Sequence, residues 1–125
     1  MAAKRGKAAQ RRREQIVEIV SSLPEVDVSG EQHLAFRIRK KTFGYYLDDH
    51  HGDGIVGLAL KAAPGDANAL AARHPSRYYL PDYLGPKGWL GLRIDGPKID
   101  WAEVSDRIVT AYRLQAPKTL ARRLE

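Results

Sequence analysis

The sequence contains no cysteine, and this absence excludes several kinds of site at once. Disulfide frameworks, zinc sites with thiolate ligands and cysteine nucleophiles all require a residue that the chain lacks. Long apolar runs are also missing, since none approaches the roughly 18 residues that span a bilayer. The basic N-terminus is not followed by an apolar segment, so it does not read as a secretory signal. We therefore expect a cytoplasmic protein with one hydrophobic core and no membrane contact.

Basic residues are distributed unevenly along the chain. The net charge of +6 comes from 21 Lys and Arg against 15 Asp and Glu. Six of the basic residues and none of the acids fall within residues 1–13, so the remainder of the chain is neutral overall. We interpret residues 1–13 as a disordered basic N-terminal extension and residues 14–125 as a single domain. Such an extension either binds phosphates without specificity or is a solvated tail.

Hydrophobic periodicity predicts the order of the secondary-structure elements. A helix is predicted over residues 8–22, followed by three alternating strands over residues 34–39, 43–48 and 55–61. A short helix, an aromatic loop that includes one or two strands, a long helix opened by an Asp100 capping box and a short basic helix complete the chain. The order α-β(3)-α-β(1-2)-α-α predicts an α+β fold, with an antiparallel sheet packed with helices on one face. The small Gly57 and Ala59 are expected to let a helix approach the sheet closely.

Two basic clusters are candidate nucleic-acid contacts. Arg37 and Arg39 share one face of the first predicted hairpin, and Lys40 and Lys41 occupy its reversal. The last helix and the N-terminal extension supply further cations, namely Lys118, Arg122, Arg123, Arg11, Arg12 and Arg13. Positive hairpins and helices typically contact DNA phosphates, so these residues predict binding with little sequence selectivity. The alternative is an ordinary solvated strand face, in which Lys prevents edge strands from pairing with each other.

Motifs for catalysis and for cofactors are not found. No serine lies in a Gly-x-Ser-x-Gly turn, and the glycines do not form a dinucleotide or P-loop fingerprint. A polar cluster suggests a metal site, but its adjacent histidines would point to opposite faces of a strand: Asp48, Asp49, His50, His51 and Asp53. We favour a solvated turn there, and we expect a protein that is not an enzyme and has no metal or cofactor.

Aromatic residues concentrate in residues 78–89, beside the end of the third predicted strand. Lys61 ends that strand, and a lysine beside aromatic rings is typical of an anion site, although the lysine stem also packs on rings without any ligand. The possible pocket consists of Tyr45, Lys61, Tyr83 and Trp89. A different interpretation makes the same aromatic region an exposed patch that docks a protein partner or a second copy of the chain.

An ordered set of short segments carries a resemblance to a known family. The segments are Phe36-Arg37-Ile38-Arg39-Lys40-Lys41-Thr42-Phe43, Leu60-Lys61, Tyr78-Tyr79-Leu80-Pro81-Asp82-Tyr83, Gly88-Trp89-Leu90-Gly91-Leu92 and Thr110-Ala111-Tyr112-Arg113-Leu114 with Ala116-Pro117-Lys118. Over residues 16–120 the chain resembles the MmcQ/YjbR-like proteins. The resemblance implies a compact domain, similar to the secretion-chaperone-like or frataxin-like folds, and DNA binding by sheet hairpins. Lys41, Lys61 and Trp89 correspond to motif residues of that family.

Overall fold

The computed structural model describes residues 6–96 and 98–124. Its helices are α1 (Lys7–Ser21), α2 (Asp66–Arg73), α3 (Trp101–Gln115) and α4 (Lys118–Ala121). Its strands are β1 (Val26–Gly30), β2 (Leu34–Ile38), β3 (Lys41–Asp48), β4 (Val56–Leu60), β5 (Tyr78–Tyr79) and β6 (Leu90–Arg93). Short 3₁₀ turns span His50–Gly52, Gly85–Lys87 and Arg122–Leu124. The predicted α+β class is confirmed.

The strands form one antiparallel sheet in the order β1-β2-β3-β4-β6-β5. The first four strands are successive neighbours, and β6 then pairs with β4 and leaves β5 at the edge. The sequence predicts three strands before α2, whereas the structure has four because Val26–Gly30 pairs with β2. Its Val-Asp-Val alternation is only three residues long, which is too short a pattern to distinguish an edge strand from a connection.

A β-bulge in β3 adjusts the sheet to the helices above it. Phe36 pairs with Gly44 but the next residue, Arg37, pairs with Thr42, so Phe43 is the extra residue. The Phe43 ring is fully buried and meets the ring of Tyr112 edge-on, with 5.6 Å between the centroids. The bulge therefore turns a large side chain of the sheet toward α3.

The hydrophobic core lies between one face of the sheet and the helices. Ile16 and Val20 of α1, and Ile108 and Tyr112 of α3, are fully buried. They belong to one cluster with alternate strand residues, which are Leu34, Phe36, Ile38, Phe43, Tyr46, Leu58, Leu60, Tyr78, Leu90 and Leu92. Burying each such large side chain contributes about 1.5–3 kcal/mol before entropy is counted. Since this cluster uses alternate residues of β2 to β6, apart from Phe43 at the bulge, the remaining residues define a second face.

The second face of the sheet comprises the alternate positions Ala35, Arg37, Thr42, Tyr45, Leu47, Gly57, Ala59, Tyr79, Gly91 and Arg93. A Cβ added to Gly91 would lie 2.6 Å from Cε1 of Tyr79, and one added to Gly57 would lie 2.6 Å from the Tyr79 hydroxyl. The ring of Tyr79 thus covers these glycines. The sequence predicts that a helix packs on Gly57 and Ala59, whereas in the structure the Tyr79 ring packs on Gly57. A small residue indicates that another group approaches closely, but it does not identify that group.

The helix ends follow local rules in part. Asp100 is the N-cap of α3, and its Oδ1 accepts a hydrogen bond from the backbone N–H of Glu103 at 3.1 Å. The Glu103 side chain accepts hydrogen bonds from Tyr78 and Arg77 instead of reaching back to the cap.

The first helix begins close to the N-terminus, since α1 starts at Lys7. Residues 7–13, which the sequence analysis assigned to an extension, are therefore helical, and residues 1–5 lie outside the described residues.

Candidate nucleic-acid interface

The turn between β2 and β3 is built from two cationic residues. Ile38 pairs with Lys41, so Arg39 and Lys40 form a two-residue loop, and their φ angles are +46° and +70°. This is the type I′ geometry that tight hairpins use, although Asn and Gly are the residues that normally adopt it. The reversal lies one residue earlier than the sequence predicts. Arg39 is consequently in the turn and does not share a strand face with Arg37.

Arg39 is held by an acid that follows α1. Its Nε and one terminal nitrogen donate to the two carboxylate oxygens of Glu25, each at 3.2 Å. The hydrogen bond from Arg39 lowers the pKa of Glu25 below its ordinary value. Glu25 is the site residue that the sequence analysis missed. Its partner is identified only once β1 and β2 are paired, because 14 positions separate the two residues.

The C-terminal cations reach the same end of the molecule. The charge of Arg123 also lowers the pKa of Glu25, so Arg123 and Arg39 act on one carboxylate. Gln115, near the end of α3, donates from Nε2 to the backbone oxygen of Thr42 at 3.2 Å, which fixes the helix end beside the start of β3. The structure therefore brings together two predicted patches. We name them the basic pole: Arg39, Lys40, Lys41, Lys118, Arg122 and Arg123.

Most cations of the basic pole are available to a ligand. Lys40, Lys41, Lys118 and Arg122 are exposed, and none forms an ion pair with an acid among residues 6–96 and 98–124. Glu25 compensates only one of the six charges directly. Surface ion pairs contribute little to stability, whereas a set of uncompensated cations attracts phosphate. The described part of the pole is a positive surface in which Glu25 pairs with Arg39.

The N-terminal arginines lie at the opposite end of the sheet. Arg12 donates to the backbone oxygens of Ile94 and Gly96, each at 3.1 Å. Arg13 donates to the backbone oxygens of Glu31 and Gln32, and its guanidinium lies 4.9 Å from the centre of the Tyr46 ring. Their contacts join α1 to the sheet, and strand β2 separates them from the basic pole by about 17 Å. Arg11 is exposed, and it is not brought together with the hairpin.

The predicted pocket residues are only partly assembled. Tyr45 and Trp89 are half-buried, with 5.7 Å between their ring centroids and 36° between their planes. Lys61 directly follows Leu60 and Trp89 directly precedes Leu90, and Leu60 pairs with Leu90. Lys61 and Trp89 therefore flank the same end of the β4–β6 ladder. Tyr83, by contrast, is 73% exposed and has a φ angle of +67°.

The polar loop after β3 is organised by its own backbone. Asp49 accepts a hydrogen bond from the N–H of Gly54 at 2.7 Å, and Asp53 accepts one from the N–H of Ile55 at 2.8 Å. His33, before β2, accepts one from the N–H of Asp48 at 3.1 Å. Among the described side chains, which do not include that of His51, no three His, Asp or Glu residues converge as metal ligands would. The carboxylates of Asp49 and Asp53 thus shape the turn.

These features define an α+β protein with a six-stranded antiparallel sheet and a basic pole at one end of it. The chain belongs to the YjbR family, whose model matches residues 21–114. The fold is similar to the crystal structure of Deinococcus radiodurans protein DR2400, which has the family-model domain DUF419, with a TM-score of 0.69. That similarity covers 90% of this chain and 86% of the other at 18% sequence identity, so it concerns the fold. No curated protein matches the chain.

The length and hydrophobicity of the helices decide whether one could cross a bilayer. None of those in the described part of the chain has the length and hydrophobicity that a membrane crossing demands. The longest, α1 and α3, have 15 residues each and carry charged residues along their exposed faces.

Proposed function

We propose that the protein is a non-enzymatic DNA-binding protein with low sequence selectivity, and that the basic pole is its contact surface. The observation that carries this proposal is that the end of α3, which leads into the C-terminal cations, lies beside the hairpin: Gln115 donates to the backbone oxygen of Thr42 at 3.2 Å. Cations spread over a turn and a helix match phosphates along a duplex backbone. Contacts to phosphates carry no sequence information, so this binding is directed to the DNA backbone and not to base edges.

The N-terminal arginines have a smaller part in this proposal. Arg12 and Arg13 are engaged with backbone oxygens of the domain and face away from the pole. Removing residues 1–13 would also delete the first two turns of α1, so loss of binding after that truncation would not identify the arm. The double substitution of Lys4 and Arg5 with Ala is the better test, because both residues precede the helix.

The direct experiment is a fluorescence-anisotropy titration of labelled duplex DNA over a series of salt concentrations. Lys40→Ala with Lys41→Ala is expected to weaken binding and to reduce the slope of log K against log salt by about 1.8, since each lost phosphate contact accounts for about 0.9. The matched control is Arg73→Ala with Lys98→Ala, which removes the same charge from exposed positions outside the pole. Equal effects of the two double variants would show that net charge alone is responsible, and the basic pole would be dismissed.

A second candidate function is docking of a protein partner or of a second copy. The observation in its favour is that Leu80 and Tyr83, within the aromatic loop, are 45% and 73% exposed. Large apolar side chains exposed near each other often mark contact surfaces. A chain that sediments as a dimer, and that becomes a folded monomer on Tyr83→Ala, would support this function. A chain that is monomeric at every concentration would exclude docking of a second copy and would restrict this function to a different protein partner.

A further inference from the structure

The pair of Tyr45 and Trp89 lies outside the core. Both rings belong to the second face of the sheet or flank it, and neither is part of the cluster that contains the buried residues of the helices. The neighbouring positions of the second face carry small residues, because Tyr45 pairs with Ala59 and Ala59 pairs with Gly91. Both rings nevertheless retain accessible surface. The arrangement is an aromatic platform on a sheet.

Two cations lie on the second face toward the β2–β3 turn, beside this platform. Lys61 flanks the strand end beside Trp89, and its N–H donates to the backbone oxygen of Phe43 at 3.0 Å, which continues the strand pairing by one residue. Arg37 lies on the same face as Lys61 and two strands away from it, which corresponds to about 10 Å by the spacing of strands. Neither Lys61 nor Arg37 forms an ion pair with an acid in the part of the chain that the structure describes.

The other end of the second face has the opposite charge. Burial of Tyr79 raises the pKa of its hydroxyl, and the nearby carboxylates of Asp53, Asp95 and Asp82 raise it further. Arg93, at this end, donates to both oxygens of Asp95 at 3.2 Å and so is neutralised. An anionic ligand on this face is therefore directed away from Tyr79 and toward Trp89, Lys61 and Arg37.

We propose that Tyr45 and Trp89, with Lys61 and Arg37, form a second nucleic-acid site that stacks an unpaired base of a single DNA strand. Bases of any sequence stack on aromatic rings, while lysine and arginine neutralise the adjoining phosphates. Two cations about 10 Å apart fit a chain of phosphates better than a single terminal phosphate group. The inference rests on the proposed function, because Arg37 is two residues from Arg39 and so links the platform to the basic pole.

The test compares a labelled short oligothymidine strand with a labelled duplex of the same length, using the full chain. Trp89→Ala is expected to weaken binding of the single strand about tenfold and to leave duplex binding unchanged, because alanine substitution at a stacking ring costs about 1–3 kcal/mol per base. Trp89→Phe preserves a stacking ring and is expected to retain most of the affinity. Lys61→Met keeps the aliphatic stem and removes the charge, so it is expected to weaken single-strand binding and to reduce its salt dependence.

A direct readout reports on the ring itself. In a Trp101→Phe chain the only remaining tryptophan is Trp89, and stacking of a base on it is expected to quench its fluorescence as oligothymidine is added. An unchanged fluorescence at saturation of the anisotropy signal would overturn the platform as the binding site. Denaturation midpoints show whether each variant remains folded. If Trp89→Ala does not fold, the fluorescence titration of the Trp101→Phe chain and the Trp89→Phe variant still test the platform.

Three results would separate this inference from the proposed function. If Trp89→Ala weakens the duplex as much as the single strand, the platform has no preference for an unpaired base and the inference fails. If thymidine monophosphate displaces the strand at the same nucleotide concentration, the site is a small-anion pocket and the inference also fails. If only Lys40→Ala with Lys41→Ala weakens the duplex, while Trp89→Ala leaves the single strand unaffected, the proposed function survives and the inference does not.

Discussion

Glu25 and Arg39 are joined by two parallel hydrogen bonds of 3.2 Å, and both residues have positive φ angles, +59° and +46°. One follows the corner after α1 and the other lies in the β2–β3 turn, so the pair connects two tight reversals of the chain. Left-handed conformations of residues other than glycine persist where surrounding contacts determine them. The ion pair therefore orients the strained turn that presents Lys40 at the basic pole.

Glu25→Gln is expected to increase the affinity for duplex DNA, provided that the basic pole is the contact surface. The substitution removes the acid of the pole and releases Arg39 for a phosphate, which adds about 0.9 to the salt slope. Glu14→Gln is the matched control, since Glu14 is an exposed acid on α1 that accepts a hydrogen bond from Gln10. Anisotropy titrations of the two variants decide the matter: an identical gain for both would mean that total charge governs binding.

Lys40→Gly is expected to stabilise the protein relative to Lys40→Ala by about 1 kcal/mol. Glycine adopts a φ angle of +70° without the steric cost that any Cβ incurs, although its larger entropy in the unfolded chain offsets part of the gain. Both variants remove the same charge, so the difference between their urea denaturation curves isolates the backbone effect. Equal stability of the two variants would show that the turn is not strained.

Gly91→Ala is expected to destabilise the protein by about 1–3 kcal/mol, because the new methyl group would lie 2.6 Å from the Tyr79 ring. Tyr79→Ala removes the obstacle, so in that background the cost of Gly91→Ala should largely disappear. The coupling energy from the four denaturation curves measures the contact. Gly96→Ala is the control with open space, since no atom beyond its two chain neighbours is found within 4 Å of its added Cβ. A similar cost for both glycines would contradict the predicted contact.

Acid is expected to weaken the fold through Asp95. Burial alone would raise the pKa of Asp95, but hydrogen bonds from Arg93 and from the backbone N–H of Val56 outweigh it and lower the pKa below 3.8. A lowered pKa means that this stability is present above the ordinary value and is lost as the pH falls through the folded-state value. Asp95→Asn should therefore show a smaller loss of stability between about pH 5 and pH 2. Parallel pH profiles for the two proteins would exclude Asp95 as the source.

The strands and helices with long patterns could be predicted from the sequence, and β1 could not. Alternation in β2, β4 and β6 is long enough to indicate both a strand and its buried face. In β3 it indicates the strand but not the face, because the bulge places Phe43 in the core and Tyr45 on the second face. In β1 only Val26 and Val28 carry the signal. An edge strand has one partner and a half-exposed pattern, so tertiary pairing decides its existence more than its own residues do.

The sequence identifies the residues of the candidate site but does not predict which of them lie close together. The hairpin and C-terminal cations were identified from composition, yet their convergence depends on how α3 packs on the sheet. The pairing of Tyr45 with Trp89 also follows from strand register, which short sequence patterns do not determine when β6 is inserted beside β4. Arg12 and Arg13 illustrate the opposite difficulty, because a run of cations gives no sign of which members donate to backbone oxygens within the domain.

The position of α3 near the C-terminus has a consequence for the order of folding. The meander of β1 to β4 has only short-range pairings, whereas its apolar face is covered by a helix made some 40 residues later. During synthesis the part of this face that α3 covers, including Phe43, is exposed until Trp101–Gln115 emerges from the ribosome. We expect a fragment ending at residue 62 to bind a hydrophobic dye strongly and the full chain to bind it weakly. Weak binding by both would show that the meander is protected before α3 arrives.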